Sequence, residues 1–333
     1  MSRYSFKENS FGKHKTIILQ DNFNDTKTEV CLRGATLINF FVSLKGKSIN
    51  ILDGYLTPEE LEEQAGARSC IMAPYSNRIK DGRFTWQDET LQLVNAVNPN
   101  KDVIHGFARV INFDVKNVSA DDEKAELVLF TDKIRNGSFP GYPFNINLTV
   151  RFTLMERNLD CVITAENIDS VPVPFGCGWH PYFKLGEDGI DSLYLEVPAN
   201  KIILLDDKYV PLKGKVAYSD LNEHKEIDFR STGKIGERTV NVCYTDLIPD
   251  KDGITRTYLT DKEKGLCLVV YQEGGVTYAF TADTVKYRTR KSIALEPVQF
   301  MTDAFNRSEL LDEITVKPGD SKSFRFGIEI KEL

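Results

Sequence analysis

An all-β fold, a large antiparallel β-sandwich with very few short helices, is predicted by three features of this 333-residue sequence. Apolar residues recur with period two, the runs that do so are separated by Gly, Asp and Asn turns, and helical signals are sparse. The clearest run is Ile146 to Leu154, where Ile146, Leu148, Val150, Phe152 and Leu154 alternate with Asn147, Thr149, Arg151 and Thr153. Successive side chains of a strand point to opposite faces, so this pattern gives one dry face and one wet face. The C-terminal segment repeats it through Phe324, Phe326, Ile328 and Ile330. Ala125 to Phe130, Leu159 to Ala165, Leu266 to Tyr271 and Val276 to Ala282 are rich in branched and aromatic residues and read as further strands.

The best helical signal is Thr57-Pro58-Glu59-Glu60. Thr57 can cap, Pro58 suits the first helical position, and Glu60 can return a hydrogen bond to the cap, which predicts a short surface helix through about Gln64. Its acidic residues sit at the positive end of the helix dipole and need no catalytic explanation. Many strands with almost no helices imply packed antiparallel sheets rather than a βαβ array. With no Pro/Gly/Ser-rich linker and no internal repeat, the economical assignment is one sandwich domain over residues 1–333.

Composition removes several classes of function. The formal net charge is −7 and the lysines and arginines are scattered, so a polyanion would gain little from counterion release and nucleic acid is not expected as a partner. No apolar run approaches the length of a membrane span, and the N-terminus lacks the apolar core of a secretion signal, which points to the cytoplasm and away from membranes. The six cysteines have no C-x-x-C pairing and read as reduced structural residues. The four histidines have no short ligand spacing, so no metal is expected. Nucleophile-elbow, Walker, H-E-x-x-H and dinucleotide fingerprints are absent.

Four segments place hydrogen-bonding side chains among aromatics and turn residues. In Ala73-Pro74-Tyr75-Ser76-Asn77-Arg78, Asn77 and Arg78 are either loop anchors or donors to sugar hydroxyls, the guanidinium offering a rigid planar fork. In Ile104-His105-Gly106-Phe107, His105 is a structural histidine or a hydroxyl ligand, and Gly106 permits close backbone approach. In Gly178-Trp179-His180-Pro181-Tyr182-Phe183, Pro181 biases His180 to an extended backbone and fixes the chain after it, while the aromatic flanks suit a core or the C–H face of a pyranose. Glu296 follows Ile293-Ala294-Leu295 at a strand end. Burial there would raise its pKa and make it a better base, unless it pairs with Arg288 or Arg290.

The ordered set Asn77-Arg78, His105-Gly106, His180-Pro181-Tyr182-Phe183, Asp228-Phe229-Arg230 and Glu296-Pro297 with Asp303-Ala304-Phe305-Asn306 resembles the aldose 1-epimerase, or mutarotase, family. That resemblance implies a galactose mutarotase-like sandwich, an isomerase that interconverts the α and β anomers of free aldoses. It implies His180 as general acid, Glu296 as general base, and Asn77, Arg78 and His105 as substrate binders. Asp246, in Tyr244-Thr245-Asp246-Leu247, best matches the family's hydroxyl-binding aspartate. Three departures mark a divergent branch: Trp179 where galactose-type enzymes carry Asn, Glu296-Pro297-Val298 where they carry Glu-Thr-Gln, and Thr277 where a sugar-binding Gln is common.

Anomers interchange through the open aldehyde, which needs one base at the anomeric hydroxyl and one acid at the ring oxygen and no cofactor. On this reading Glu296 starts ionised and His180 protonated, and the partner is a small-molecule sugar. Two alternatives stay open. A sugar-phosphate mutarotase would gather Arg78, Arg83 and a lysine on the phosphate, and a non-catalytic carbohydrate-binding sandwich would bind without turnover.

Overall fold

The alternating runs become two large antiparallel sheets in a computed structural model that describes residues 2–285 and 287–333. Ile146–Met155 lies between Ala125–Ile134 and Asn158–Asn167, with Val150 opposite Leu129 on one side and Ile163 on the other. The register puts the apolar sets of three strands on one face. Asp114–Ala120 closes that edge; on the other side follow Ser321–Glu332, Leu266–Gln272, Thr255–Asp261, Tyr194–Glu196 and Gly233–Lys234, nine strands in all.

The second sheet has eight strands, with Ile293–Val298 between Val276–Phe280 and the short strands Gly178–Trp179 and Tyr182–Phe183. Its inner residues Ile293, Leu295, Ala279 and Trp179 share one buried apolar cluster with Val150, Phe326 and Ile328 of the first sheet. Contact between the sheets is direct. The Trp179 and Phe326 rings stack with centroids 5.6 Å apart and planes 20° from parallel, and Thr277 Oγ1 donates to Gln272 Oε1 at 2.8 Å. The sandwich read from the sequence is therefore the fold.

No strand is assigned from the sequence pattern in the N-terminal fifty residues. They form a five-stranded antiparallel meander from Tyr4 to Asn50. Its first strand, Tyr4–Phe11, buries only Tyr4, so the alternation that reveals a half-buried strand is nearly absent. Leu19, Val30, Leu37 and Phe40 from the other strands join the main core.

The helix Pro58–Glu62 starts as expected, with Thr57 Oγ1 accepting from the Glu60 amide at 3.3 Å, and stops two residues short of Gln64, which takes a left-handed backbone. The Glu60 carboxylate accepts not from the Thr57 amide but from that of Leu56, at 2.9 Å, and also holds Arg288 at 2.9 Å. Among the described residues no helix is long and apolar enough to cross a membrane. All six cysteines are buried and unpaired.

Period two also sorts the central strand of the second sheet. Ile293 and Leu295 enter the inter-sheet core, whereas Ala294 and Val298 face outward into smaller clusters with Tyr182 and Tyr278, and Glu296 lies between them on the same outer face. That outer face carries the polar residues of interest.

Candidate active site

Trp179 and His180 are consecutive, so their side chains leave the sheet on opposite sides. The indole is fixed in the core, with its Nε1 donating to the Ser69 carbonyl at 3.1 Å. The His180 backbone is clamped from both sides: its carbonyl accepts from the Ser69 amide at 2.7 Å, and its amide donates to the Cys70 carbonyl at 3.2 Å. The imidazole is thereby aimed outward, and its Nε2 lies 3.5 Å from Glu296 Oε1.

Both side chains are buried, 8% and 5% exposed, at a cavity of about 390 Å³ that Asn77, Arg78 and His105 also line. Neither Glu296 Oε2 nor the Nδ1 atoms of His180 and His105 have a hydrogen-bond partner among the described residues. Buried polar atoms are normally satisfied, so these point to a polar ligand. Among the described residues Glu296 pairs with no arginine: Arg288 is held by Asp53 and Glu60, and Arg290 by Asp191 and Asp283.

The electrostatics follow from that isolation. Burial pushes Glu296 up to about 8. Burial pulls the His180 imidazole down to about 4, and the guanidinium charges of Arg68 and Arg109 add to this. His105 is driven well below the usual histidine range, first by burial and then by His180. Both shifts thus run toward the neutral form of each group. The sequence led to the expectation of an ionised Glu296 and a protonated His180 at the start of the reaction, whereas burial by itself works against the charged form of each group.

The Asn77-Arg78 loop and the His105-Gly106 turn are built against each other. Asn77 and His105 both have left-handed backbones, and the His105 amide donates to the Asn77 carbonyl at 2.9 Å. Gly106, at φ 60°, packs so tightly that a Cβ would stand 2.1 Å from the Ala73 carbonyl oxygen, so glycine is required. His105 then meets His180 edge-on, ring centroids 4.9 Å apart. Beneath this loop Asp303 accepts from the Lys80 amide at 2.8 Å and donates its own amide to the Arg78 carbonyl, while Phe305 packs on Tyr75 and Phe84. The Asp303-Ala304-Phe305-Asn306 segment supports the loop from below.

The other side of His180 is backed by Tyr182, whose ring stacks on it at 5.1 Å. The Arg68 guanidinium lies 4.5 Å over the Tyr182 ring and is paired with Asp53 at 2.6 Å, both nearly fully buried. This buried chain gives the imidazole a rigid wall.

A sequence model of the aldose 1-epimerase family matches residues 15–329. The chain belongs to the aldose 1-epimerase family. It is 29% identical over 202 residues to the aldose 1-epimerase of Escherichia coli K12, a match covering 60% of this chain and 55% of that relative, little more than half its length. A galactose mutarotase-like protein from Clostridium acetobutylicum superposes with a TM-score of 0.83 at 18% identity, with 99% of each chain covered. The galactose 1-epimerase of Lactobacillus acidophilus gives 0.80 at 19% identity over 100% of this chain and 99% of its own. These two likenesses speak for the fold.

Within this member of the aldose 1-epimerase family, five of the six residues singled out from the sequence meet at one cavity, and Asp246 does not. Asp246 is half-exposed at the far end of the strand Asn241–Leu247, 3.9 Å from Lys201. The same strand reaches the cavity through Asn241 instead. The two positions are five steps apart along the strand, roughly 17 Å of extended chain. Thr277 faces the inter-sheet core, and its neighbour Tyr278, directly opposite Glu296, lines the cavity. Asp228-Phe229-Arg230 forms a remote clamp in which Arg230 grips Asp228 and Phe229 is buried. Arg83 hydrogen-bonds Gln92 and lines a different cavity; Arg109 and Lys101 join Arg78 here. Arg109 is buried and donates to the carbonyls of Ile104 and Gly106.

Proposed function

We propose that this protein is a mutarotase that interconverts the α and β anomers of an aldose, with His180 and Glu296 as its acid–base pair. The observation that carries the reading is the isolated contact between the two: 3.5 Å apart, buried, and free of any competing arginine. A purely structural carboxylate at this depth would be expected to have a cation or several donors. Among the described residues its charged partner is an imidazole, itself buried.

The pair holds one proton in total and is neutral whether that proton sits on Glu296 or His180. Hydroxyl groups of a bound sugar donate to a carboxylate and favour its charged form. Binding therefore moves the proton from Glu296 to His180, which sets the carboxylate as base and the imidazolium as acid. Glu296 takes the proton of the anomeric hydroxyl while His180 delivers one to the ring oxygen. The C1–O5 bond breaks, leaving a C1 aldehyde and an O5 hydroxyl. After rotation about C1–C2 the transfers run backwards on the other face, and both groups end as they began. Positioned proton transfer of this kind is worth on the order of 10²–10⁴ in rate.

Asn77, Arg78 and His105 supply hydroxyl contacts that hold the rest of the sugar while C1 turns, and Tyr182 and Tyr278 flank the pair. Asp246 lies outside this cavity. Polarimetry on freshly dissolved α-D-glucose and α-D-galactose tests the reading. Faster approach to anomeric equilibrium supports it, and no acceleration across a panel of aldoses and their 6-phosphates contradicts it. Binding without turnover would identify a carbohydrate-binding sandwich instead.

A further inference from the structure

The loop that follows the helix Pro58–Glu62 is wound repeatedly through the left-handed region. Gln64, Gly66, Ala67 and Ser69 have φ of 52°, 70°, 52° and 53°. Only the glycine takes that backbone without steric cost, and strain of this kind clusters where a chain clamps a ligand. Hydrogen bonds hold the loop in place. The Gln64 carbonyl accepts from the Ala67 amide at 3.0 Å, and the Ser69 amide donates to the His180 carbonyl at 2.7 Å.

Gln64 opens this loop, is 5% exposed, and lines the cavity with His180 and Glu296. Its Nε2 donates to the Leu61 carbonyl at 2.9 Å, which fixes the orientation of the amide and serves the end of the helix. Its Oε1 is buried and has no partner among the described residues. Helix capping accounts for the nitrogen and not for the oxygen. The Leu61 carbonyl already accepts from the Gln64 backbone amide at 3.2 Å, and glycine would hold the left-handed position with less strain. The cavity is short of such an acceptor. Arg78, Lys101 and Arg109 can only donate. Asn77 and Asn95 also line it, but the Asn77 Oδ1 accepts from the Arg78 amide and guanidinium at 2.9 and 3.4 Å, and the Asn95 Oδ1 from the Val97 and Asn98 amides at 2.9 and 3.1 Å. Each sugar hydroxyl brings a proton that needs an acceptor.

We infer that Gln64 is a substrate-binding residue, its Oε1 accepting from one sugar hydroxyl away from C1. It supplies the acceptor expected at Asp246, and the contact of Ser69 with the His180 backbone keeps the two side chains in a fixed relation. This role rests on the mutarotase reading of the cavity and adds a contact that lies outside the ordered motifs.

Two variants test it. Gln64→Leu keeps the bulk without the polar end, and Gln64→Gly suits the left-handed backbone while deleting the side chain, so a loss shared by both is not a folding effect. Mutarotation is followed on glucose or galactose, whichever wild type turns over faster, and on its 2-, 3-, 4- and 6-deoxy analogues. On the parent sugar kcat/KM should fall about tenfold in both variants. For one deoxy analogue wild type and variants should agree within about twofold, because hydroxyl and amide are then removed as a pair. Parent-sugar values within about twofold of wild type in Gln64→Gly, or equal losses on the parent and all four analogues, would overturn the contact and leave the acid–base pair standing. No acceleration of any sugar by wild type would overturn the acid–base pair instead. Saturation-transfer NMR with the same sugars then decides the contact without turnover: signal in wild type that Gln64→Gly weakens supports it, and equal or absent signal overturns it.

Discussion

Trp179 and His180 are neighbours in the chain and face opposite ways, the indole stacked on Phe326 between the sheets and the imidazole beside Glu296 in the cavity. One residue thus anchors the sandwich while the next faces the cavity. Trp179→Ala should cost about 3–5 kcal/mol in denaturant unfolding and reduce turnover by releasing His180. His180→Asn should abolish most turnover without that loss. Equal stability losses in the two variants would show that the division of labour is misread.

The isolation of Glu296 makes stability depend on pH in a definite direction. Its folded pKa of about 8 lies above the ordinary 4.5. Between these values the folded protein keeps a proton that the unfolded chain has released, so this group's contribution is fully present below about 4.5 and is lost as pH rises toward 8. Glu296→Gln removes that dependence. The variant should gain on the wild type, by an amount on the order of a few kcal/mol, between pH 5 and pH 8. Chemical denaturation at the two pH values measures it, and a constant difference would mean that Glu296 is ionised in the fold.

The same shifts bound the pH range of turnover. With His180 near 4 and Glu296 near 8, the pair holds one proton between those limits, values that belong to the pair together once the groups interact. Below about 4 a second proton removes the base, and above about 8 loss of the last removes the acid. A kcat/KM profile should be flat in between and fall on both sides. A single limb near the ordinary histidine pKa of 6.5 would contradict the shared proton.

Gly106→Ala probes how tightly the histidine turn is built. A Cβ there collides with the Ala73 carbonyl and the backbone is left-handed. The variant should lose more than about 1 kcal/mol and raise KM more than it lowers kcat, since His105 moves before His180 does. A neutral effect on both would show that the turn relaxes freely.

Much of this was legible in the sequence where the physics is local. Strong alternation in Ile146–Met155 gave its strand, and the cap residues gave the start of the helix at Pro58. Tyr4–Phe11 escaped because a strand buried at one residue has no alternation to read. The site was legible only through ordered motifs, since antiparallel register, which sets Tyr278 opposite Glu296 and sends Thr277 inward, is a property of pairing and not of either strand alone. The position of Asp246 was not legible for the same reason, as nothing local shows which end of Asn241–Leu247 reaches the cavity. Arg68 and Asp53, fifteen residues apart and joined beneath Tyr182, carry no sequence signal at all.

The central claim is that His180 and Glu296 exchange protons with a sugar. Its most direct test is the mutarotation rate of Glu296→Gln beside wild type, on the sugar that wild type turns over best, with binding checked separately. The amide keeps the shape and cannot act as a base, so kcat should fall by about 10²–10⁴ with binding retained. Turnover within a few-fold of wild type would contradict it.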